Sequence, residues 1–212
     1  MYVPTHFAVT DIPALHALIR AHPLGTMVVP TGDGLDANHL PFVLRPQPAP
    51  FGTLHGHVAR PNPVWRSAMT TADSLVIFQG PERYVSPAWY PSKADTEGRV
   101  VPTWNYVVVH AYATLRVVDD RAWVLAHLEE LVAQHEGART DPWRMSDAPA
   151  DWIERLADGV VGVELAITRL IGKAKLSQNR SPADRAGVVE GLTREDQGGA
   201  AMAEAMRRAM EG

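Results

Sequence analysis

The residues best equipped for chemistry gather in a few short runs. Between Gly172 and Arg180, reading GKAKLSQNR, Lys173, Lys175, Ser177, Gln178 and Asn179 concentrate hydrogen-bond donors. On a strand Lys173, Lys175 and Ser177 share one face, because alternate residues of an extended chain point the same way. Ammonium, hydroxyl and amide donors on one face suit a phosphate or the carbonyl-rich edge of a ring. An exposed strand end with solvated lysines reads the same way. A second run, VVPTWNY at 100–106, sets Trp104 and Tyr106 beside Thr103 and Asn105, and FQGPERYVSPAWYPSK at 78–93 adds Trp89, Tyr90 and Lys93. Aromatic faces beside polar groups are common in ligand sites and interfaces, and also in cores. The runs at 100–106 and 172–180 are expected to face each other around a flat aromatic ligand with a charged tail.

The segment HGHVARPNPVW at 55–65 offers two further chemistries. Arg60, followed by Asn62 at a helix start that carries Trp65, makes an anion pocket in which a phosphate would sit. Alternatively Asn62 caps that helix and Arg60 is solvated. His55 and His57 share a strand face, with His39 on a neighbouring strand, a set that could in principle hold a metal. HGHVAR brings no Asp or Glu to it, so no metal is expected.

Composition removes whole classes of function. A formal charge of -4 and a pI near 6.1 lack the basic footprint of a broad nucleic-acid face. The absence of cysteine excludes disulfides, thiolate metal sites and a cysteine nucleophile. No GxSxG elbow, Walker loop or HExxH helix is present, and no catalytic residue is assigned. Asp119-Asp120 and Glu129-Glu130 read as solvated charge at helix starts and faces. The opening MYVPTHFAVTD shows no signal-peptide pattern, and no apolar stretch approaches the roughly 20 residues of a membrane helix. No membrane association and a cytoplasmic location are the expectations.

These runs need elements to position them. Leu15, Leu18 and Ile19, behind Thr10 or Asp11 and Pro13, predict a helix ending at His22-Pro23. Thr26–Val29 and Asn38–Leu44 predict a hairpin around Thr31-Gly-Asp-Gly34. Thr53–Ala59 and Ser74–Gln79 predict strands, the second broken by Gly80-Pro81, and Pro102–Val118 predicts a strand pair or one bent strand. Asp120 predicts a helix with Trp123, Leu128, Leu131 and Val132 on one side, and Asp147 with Pro149 predicts another carrying Trp152, Ile153 and Leu156. Val160–Ile171 returns to strand. Ser181 and Thr193 begin two late helices, the last with Met202, Met206 and Met210 at four-residue spacing. Strands outnumber helices and lack β-α-β alternation, so the 212 residues and 46% apolar content suggest an α+β, mainly β chain. The expected architecture is one small antiparallel barrel with peripheral helices, covering residues 1–192, and a C-terminal helical tail at 193–212.

MYVPTHF, ANHLPF, GHVARPNPVW, FQGPERYVSPAWYPSK, VPTWNY and GKAKLSQNR, in this order from residue 1 to about 192, resemble the PaiB-type negative transcriptional regulators, an FMN-binding family. The resemblance implies a split β-barrel similar to pyridoxamine phosphate oxidases and flavin reductases, a homodimer, and FMN at the subunit interface. By that analogy the strand and turn from His55 to Asn62 face the phosphate and ribityl chain, while Trp104, Asn105 and Lys173 to Gln178 approach the ring. The cofactor-binding set implied is His39, His55, His57, Arg60, Asn62, Trp65, Lys93, Trp104, Asn105, Lys173, Lys175, Ser177 and Gln178. Relatives read GKWKLSQN where this chain has Ala174. Three roles follow: an FMN-binding regulator or sensor, a flavin reductase or oxidase, or a haem protein with His39, His55, His57 or His110 as axial ligand. No groove-reading helix is visible, and Arg194, Arg207 and Arg208 are balanced by nearby carboxylates. Direct DNA binding thus has little support, and regulation would be indirect.

Overall fold

The computed structural model describes residues 1–211. Among them are eight strands, β1 (Ala8–Val9), β2 (Leu24–Thr31), β3 (Gly34–Pro41), β4 (Val43–Arg45), β5 (Thr53–Ala59), β6 (Ser74–Val85), β7 (Thr103–Val118) and β8 (Val160–Lys175). They form one antiparallel sheet in the order β3-β2-β6-β7-β8-β5-β4, with β1 pairing on β8, and the sheet does not close on itself. The helices are peripheral: α1 (Ile12–Ala21), α2 (Val64–Ser67), α3 (Arg121–Glu136), α4 (Ala150–Asp158), α5 (Pro182–Thr193) and α6 (Gln197–Glu211). The mainly β architecture is thus the one expected.

The chain divides into two compact units. The first comprises Met1–Asp11, Gln79–Val109 and Ile171–Gly212, the second Ile12–Phe78 and His110–Leu170. In the second unit the hairpin β2–β3 pairs from Leu24↔Pro41 to Thr31↔Gly34, which leaves Gly32 and Asp33 as its turn. Gly34 takes φ 122°, a conformation that a side chain would resist. Leu15 and Ile19 are buried from α1, and Met27, Val29, Phe42, Leu54, Val76, Phe78, Val163 and Leu165 complete the core. Each such side chain contributes roughly 1.5–3 kcal/mol of hydrophobic stabilisation. Phe42 meets Phe78 edge to face at 5.9 Å, and it reaches that position because Gly25 and Gly56 leave room for its ring.

In the first unit Val85, Tyr90, Val107, Val109, Leu176, Val188, Leu192, Met202 and Met206 are buried. Ser181 caps α5, its Oγ accepting the Asp184 N–H, and Asp196 accepts the N–H groups of Gly198 and Gly199 at the start of α6. The four-residue methionine spacing therefore buries Met202 and Met206 and leaves Met210 42% exposed.

Two local expectations are corrected, and a third is decided between its alternatives. The strand from Ser74 continues through Gly80-Pro81 to Val85, since a proline is tolerated where its missing N–H is not needed. Pro102–Val118 is a single strand from Thr103. On α3 the fully buried positions are Val124 and His127, while Trp123, Leu128, Leu131 and Val132 are half-buried, and on α4 Trp152 and Leu156 stand exposed.

Candidate functional site

In the first unit the runs at 100–106 and 172–180 do meet. Asn105, fully buried on β7, donates through Nδ2 to Ser177 Oγ at 3.0 Å and accepts from that hydroxyl through Oδ1 at 3.1 Å. The same Nδ2 lies 3.4 Å from Met206 Sδ on α6. Ser177 holds φ 63°, a left-handed conformation costly for a side chain, so its buried bond with Asn105 offsets strain as well as satisfying polar atoms. Gln178 closes the turn, accepting the Leu176 N–H at 2.7 Å and donating to Ala174 O at 2.6 Å. Replacing Asn105 by Ala is expected to cost about 2 kcal/mol of unfolding free energy, because Ser177 is left buried and strained. Urea denaturation reads this directly, and a loss below about 0.5 kcal/mol would show that the pair does not hold the turn.

The lysines of this run are cationic groups without carboxylate partners. Lys173, 8% exposed, donates to Tyr2 O at 3.1 Å and lies 5.1 Å from the Tyr106 ring. Lys175 is half-buried, and its Nζ donates to Thr103 Oγ1 and, at 2.7 Å, to Trp104 O. Among the described residues neither lysine enters an ion pair, whereas most arginines do. Burial, then the charges of Lys173 and Arg180, push the Lys175 ammonium below its ordinary range. Arg180 lies over the Tyr90 ring at 4.8 Å. Burial opposes ionisation of Asp184, yet bonds from the Ser92 N–H and hydroxyl hold its carboxyl below the usual range. Trp104 is 50% exposed and meets Tyr84 edge to face at 6.1 Å, and Lys93 is exposed. An anion with a flat ring fits this donor set.

In the second unit Arg60 is already engaged. Its guanidinium grips Asp119 through two bonds, at 2.7 and 3.1 Å, and donates to Asp158 O and Val160 O. Asn62 Oδ1 accepts the Val64 N–H at 2.9 Å, while its Nδ2 donates to Asn38, and Trp65 Nε1 donates to Arg60 O. Pro63, not Asn62, holds the cap position of α2, Asn62 making a turn bond just before the helix, and Arg60 ties the end of β5 to Asp119, so its donors are not turned to an incoming phosphate. His39 is exposed opposite Thr26.

His55 and His57 share a face of β5 as their spacing requires, and α3 covers them. His57 Nδ1 lies 3.1 Å from His127 Nε2, Trp123 stacks on His127 at 5.3 Å, and His55 lies 4.9 Å from Trp123. His55 Nε2 is 3.4 Å from Glu164, which Arg116 holds by two bonds of 3.0 Å. Burial keeps all three imidazoles neutral, His127 most of all, with its pKa lowered to about 3 by burial and then by His57 and His55. Among the described residues no three His, Cys, Asp or Glu side chains are arranged to hold a metal. Sequence reasoning passed over His127. Its position four residues after Trp123, on the face that meets β5, was the available signal.

The sheet order and helix placement define a protein of the split-barrel class. Over 87% of this chain and 78% of its own, the flavocytochrome Anf3 from Azotobacter vinelandii superposes with a TM-score of 0.57 at 14% identity, a likeness of fold alone. Residues 1–169 match the family described as "Putative FMN-binding domain". The chain is 31% identical to the protease synthase and sporulation protein PAI 2 of Bacillus subtilis, over 92% of this chain and 91% of that protein. It is 35% identical to an uncharacterised protein of Aspergillus fumigatus, over 91% and 90%. The chain belongs to the PaiB-type FMN-binding-domain family. The Lys173–Gln178 run follows the matched segment.

Proposed function

We propose that this chain binds FMN and acts as a flavin-dependent sensor or regulator, with residues 1–192 as the binding domain and 193–212 as a helical tail. The observation that carries the reading is the cationic pair Lys173 and Lys175, neither of them paired with a carboxylate and Lys175 bonded to the backbone of the half-exposed Trp104, in a chain of an FMN-binding-domain family. Cations near a flavin ring or its phosphate hold and orient it, and the flavin supplies the redox chemistry when bound. Ser177, Gln178 and Asn105 fix the turn that presents the lysines. Arg60, Asn62 and Trp65 direct their bonds within the second unit rather than to the cofactor. Regulation is indirect: Arg194 pairs with Glu190, and Arg207 and Arg208 with Glu204, which leaves α5 and α6 without a basic face for a nucleic acid. Tyr84, Val101 and Trp104, all exposed, support contact with a second copy, and the working assembly is a cytoplasmic homodimer.

Titration of the purified protein with FMN, read by flavin fluorescence quenching, tests the reading, with the mass in solution recorded alongside. Saturable binding is expected, and Lys175→Ala weakens it about tenfold, the equivalent of ~1.4 kcal/mol. Absence of saturable binding would overturn the flavin assignment, and equal affinity of the variant would remove Lys175 from the site.

A further inference from the structure

The segment after α3 turns back on that helix and leaves a recess of about 300 Å³ whose residues flavin binding does not use. All of them belong to the second unit. From α3 come Glu129, Val132 and Glu136, which share a face because side chains three, four and seven apart stand above one another on a helix. From the returning segment come Trp143, Arg144 and Met145. Bonds hold that segment in place. Glu136 accepts the Trp143 N–H at 3.2 Å through one carboxylate oxygen while Arg139 pairs with the other at 3.0 Å, and Asp147 accepts the Arg144 N–H at 2.8 Å. The recess is therefore preformed, as small-molecule sites usually are, and its volume stands at the lower end of their range of about 300–1,000 Å³.

Three of its residues are not explained by packing or pairing. Trp143 is 42% exposed, although an indole gains most from burial. Glu129 is exposed, and among the described residues its carboxylate enters no ion pair, whereas its neighbour Glu130 is held by Arg45. Arg144 is exposed too, and among the described residues its guanidinium has no carboxylate partner. Glu129 and Arg144 line one recess without pairing with each other, so a ligand can lie between them. A ligand that matches this set carries an ammonium for Glu129, a carboxylate for Arg144 and an apolar body for Val132, Met145 and the Trp143 ring. A simple cation would meet the repulsion of Arg144, and a simple anion that of Glu129. A guanidinium can take a carboxylate through two parallel bonds, and an ammonium over an indole gains a cation–π attraction.

We infer that this recess binds a free apolar α-amino acid, an aromatic one by preference. Glu129 takes the ammonium, Arg144 the carboxylate, and Val132, Trp143 and Met145 the side chain. No bond of the ligand is made or broken. The site shares no residue with the Lys173–Gln178 run and is independent of whether FMN binds.

Isothermal titration of the purified protein with L-phenylalanine tests the inference, alongside three analogues: phenethylamine lacks the carboxylate, 3-phenylpropionate lacks the amine, and N-acetylphenylalanine amide lacks both charges. Saturable binding of phenylalanine is expected, about tenfold tighter than that of any analogue. Glu129→Gln removes its advantage over 3-phenylpropionate, Arg144→Gln removes its advantage over phenethylamine, and Trp143→Ala weakens its binding about tenfold. Glu129 and Arg144 are exposed side chains, and the analogue series on the unaltered protein needs neither variant. Phenethylamine or 3-phenylpropionate binding as tightly as phenylalanine would overturn the inference by reducing the recess to a site for one charge. No saturable binding of phenylalanine up to about 10 mM, or preferences unchanged in both charge variants, would also overturn it. Because the titration uses no flavin, either result leaves the FMN titration to stand or fall alone.

Discussion

Acidification from pH 7 to pH 5 is expected to cost this protein about 2 kcal/mol of unfolding free energy through His127 alone. In the unfolded chain this imidazole titrates near its ordinary 6.5, whereas in the fold burial between α3, which carries it, and β5 lowers its pKa to about 3. Between those values the unfolded state binds a proton that the folded state refuses, so falling pH favours unfolding at ~1.4 kcal/mol per pH unit. The contribution is complete above pH 6.5, declines as pH falls below it, and levels off below about pH 3. His55 and His57 shift in the same direction and steepen the slope. Glu164, held below its ordinary 4.5 first by its Arg116 bond, acts in the same sense but only at lower pH. His127→Gln keeps a polar group near His57 and removes the titration. Urea midpoints at pH 7, 6 and 5 for both proteins isolate the effect, and parallel pH profiles would refute the burial account.

Gly187→Ala is the second large effect, and its sign opposes helix propensity. Gly187 sits inside α5, where alanine ordinarily stabilises by roughly 0.5–1 kcal/mol. A Cβ at this position would come within 2.2 Å of Trp89 O and 3.1 Å of Pro91 Cδ. The 2.2 Å neighbour is backbone, held in the consecutive 3-10 turns Pro87–Trp89 and Pro91–Lys93, so it has no rotamer into which to withdraw. The helix must move away from the turn, at a cost of about 2 kcal/mol or more. One helical turn later Gly191 faces the Trp89 indole, which a Cβ would approach to 2.4 Å. A side chain can swing aside, so Gly191→Ala should cost less than Gly187→Ala. Denaturation of both variants ranks them, and a Gly187→Ala protein at least as stable as the parent would mean that α5 does not lie against this turn.

Local signals made much of the fold legible. Thr53–Ala59 is a strand at the bounds its alternation implied, Asp120 and Ser181 cap helices as their types suggested, and the turn residues at 31–34 make the hairpin. Each depends on backbone preferences or on one side chain bonding a few residues away, and such interactions are written in the order of the residues. The spacing of Lys173, Lys175 and Ser177 likewise stated which side chains share a face.

What each polar group does with its bonds was not legible. Arg60 reads as an anion receptor until Asp119, 59 residues later, takes its guanidinium. His127 reads as one more polar position of a helix until β5 brings His57 against it. Asn105 and Ser177 are 72 residues apart, and only their pairing accounts for a serine at positive φ.

By itself, then, the sequence determined a mainly β chain with peripheral helices, the family to which it belongs, and the cationic and aromatic residues available to a cofactor. The tertiary structure alone decided which of those groups are spent on the fold and which stay open. A hydrogen bond or a desolvated charge depends on the partner that arrives from a distant strand, and no property of the residue or of its neighbours in the chain specifies that partner.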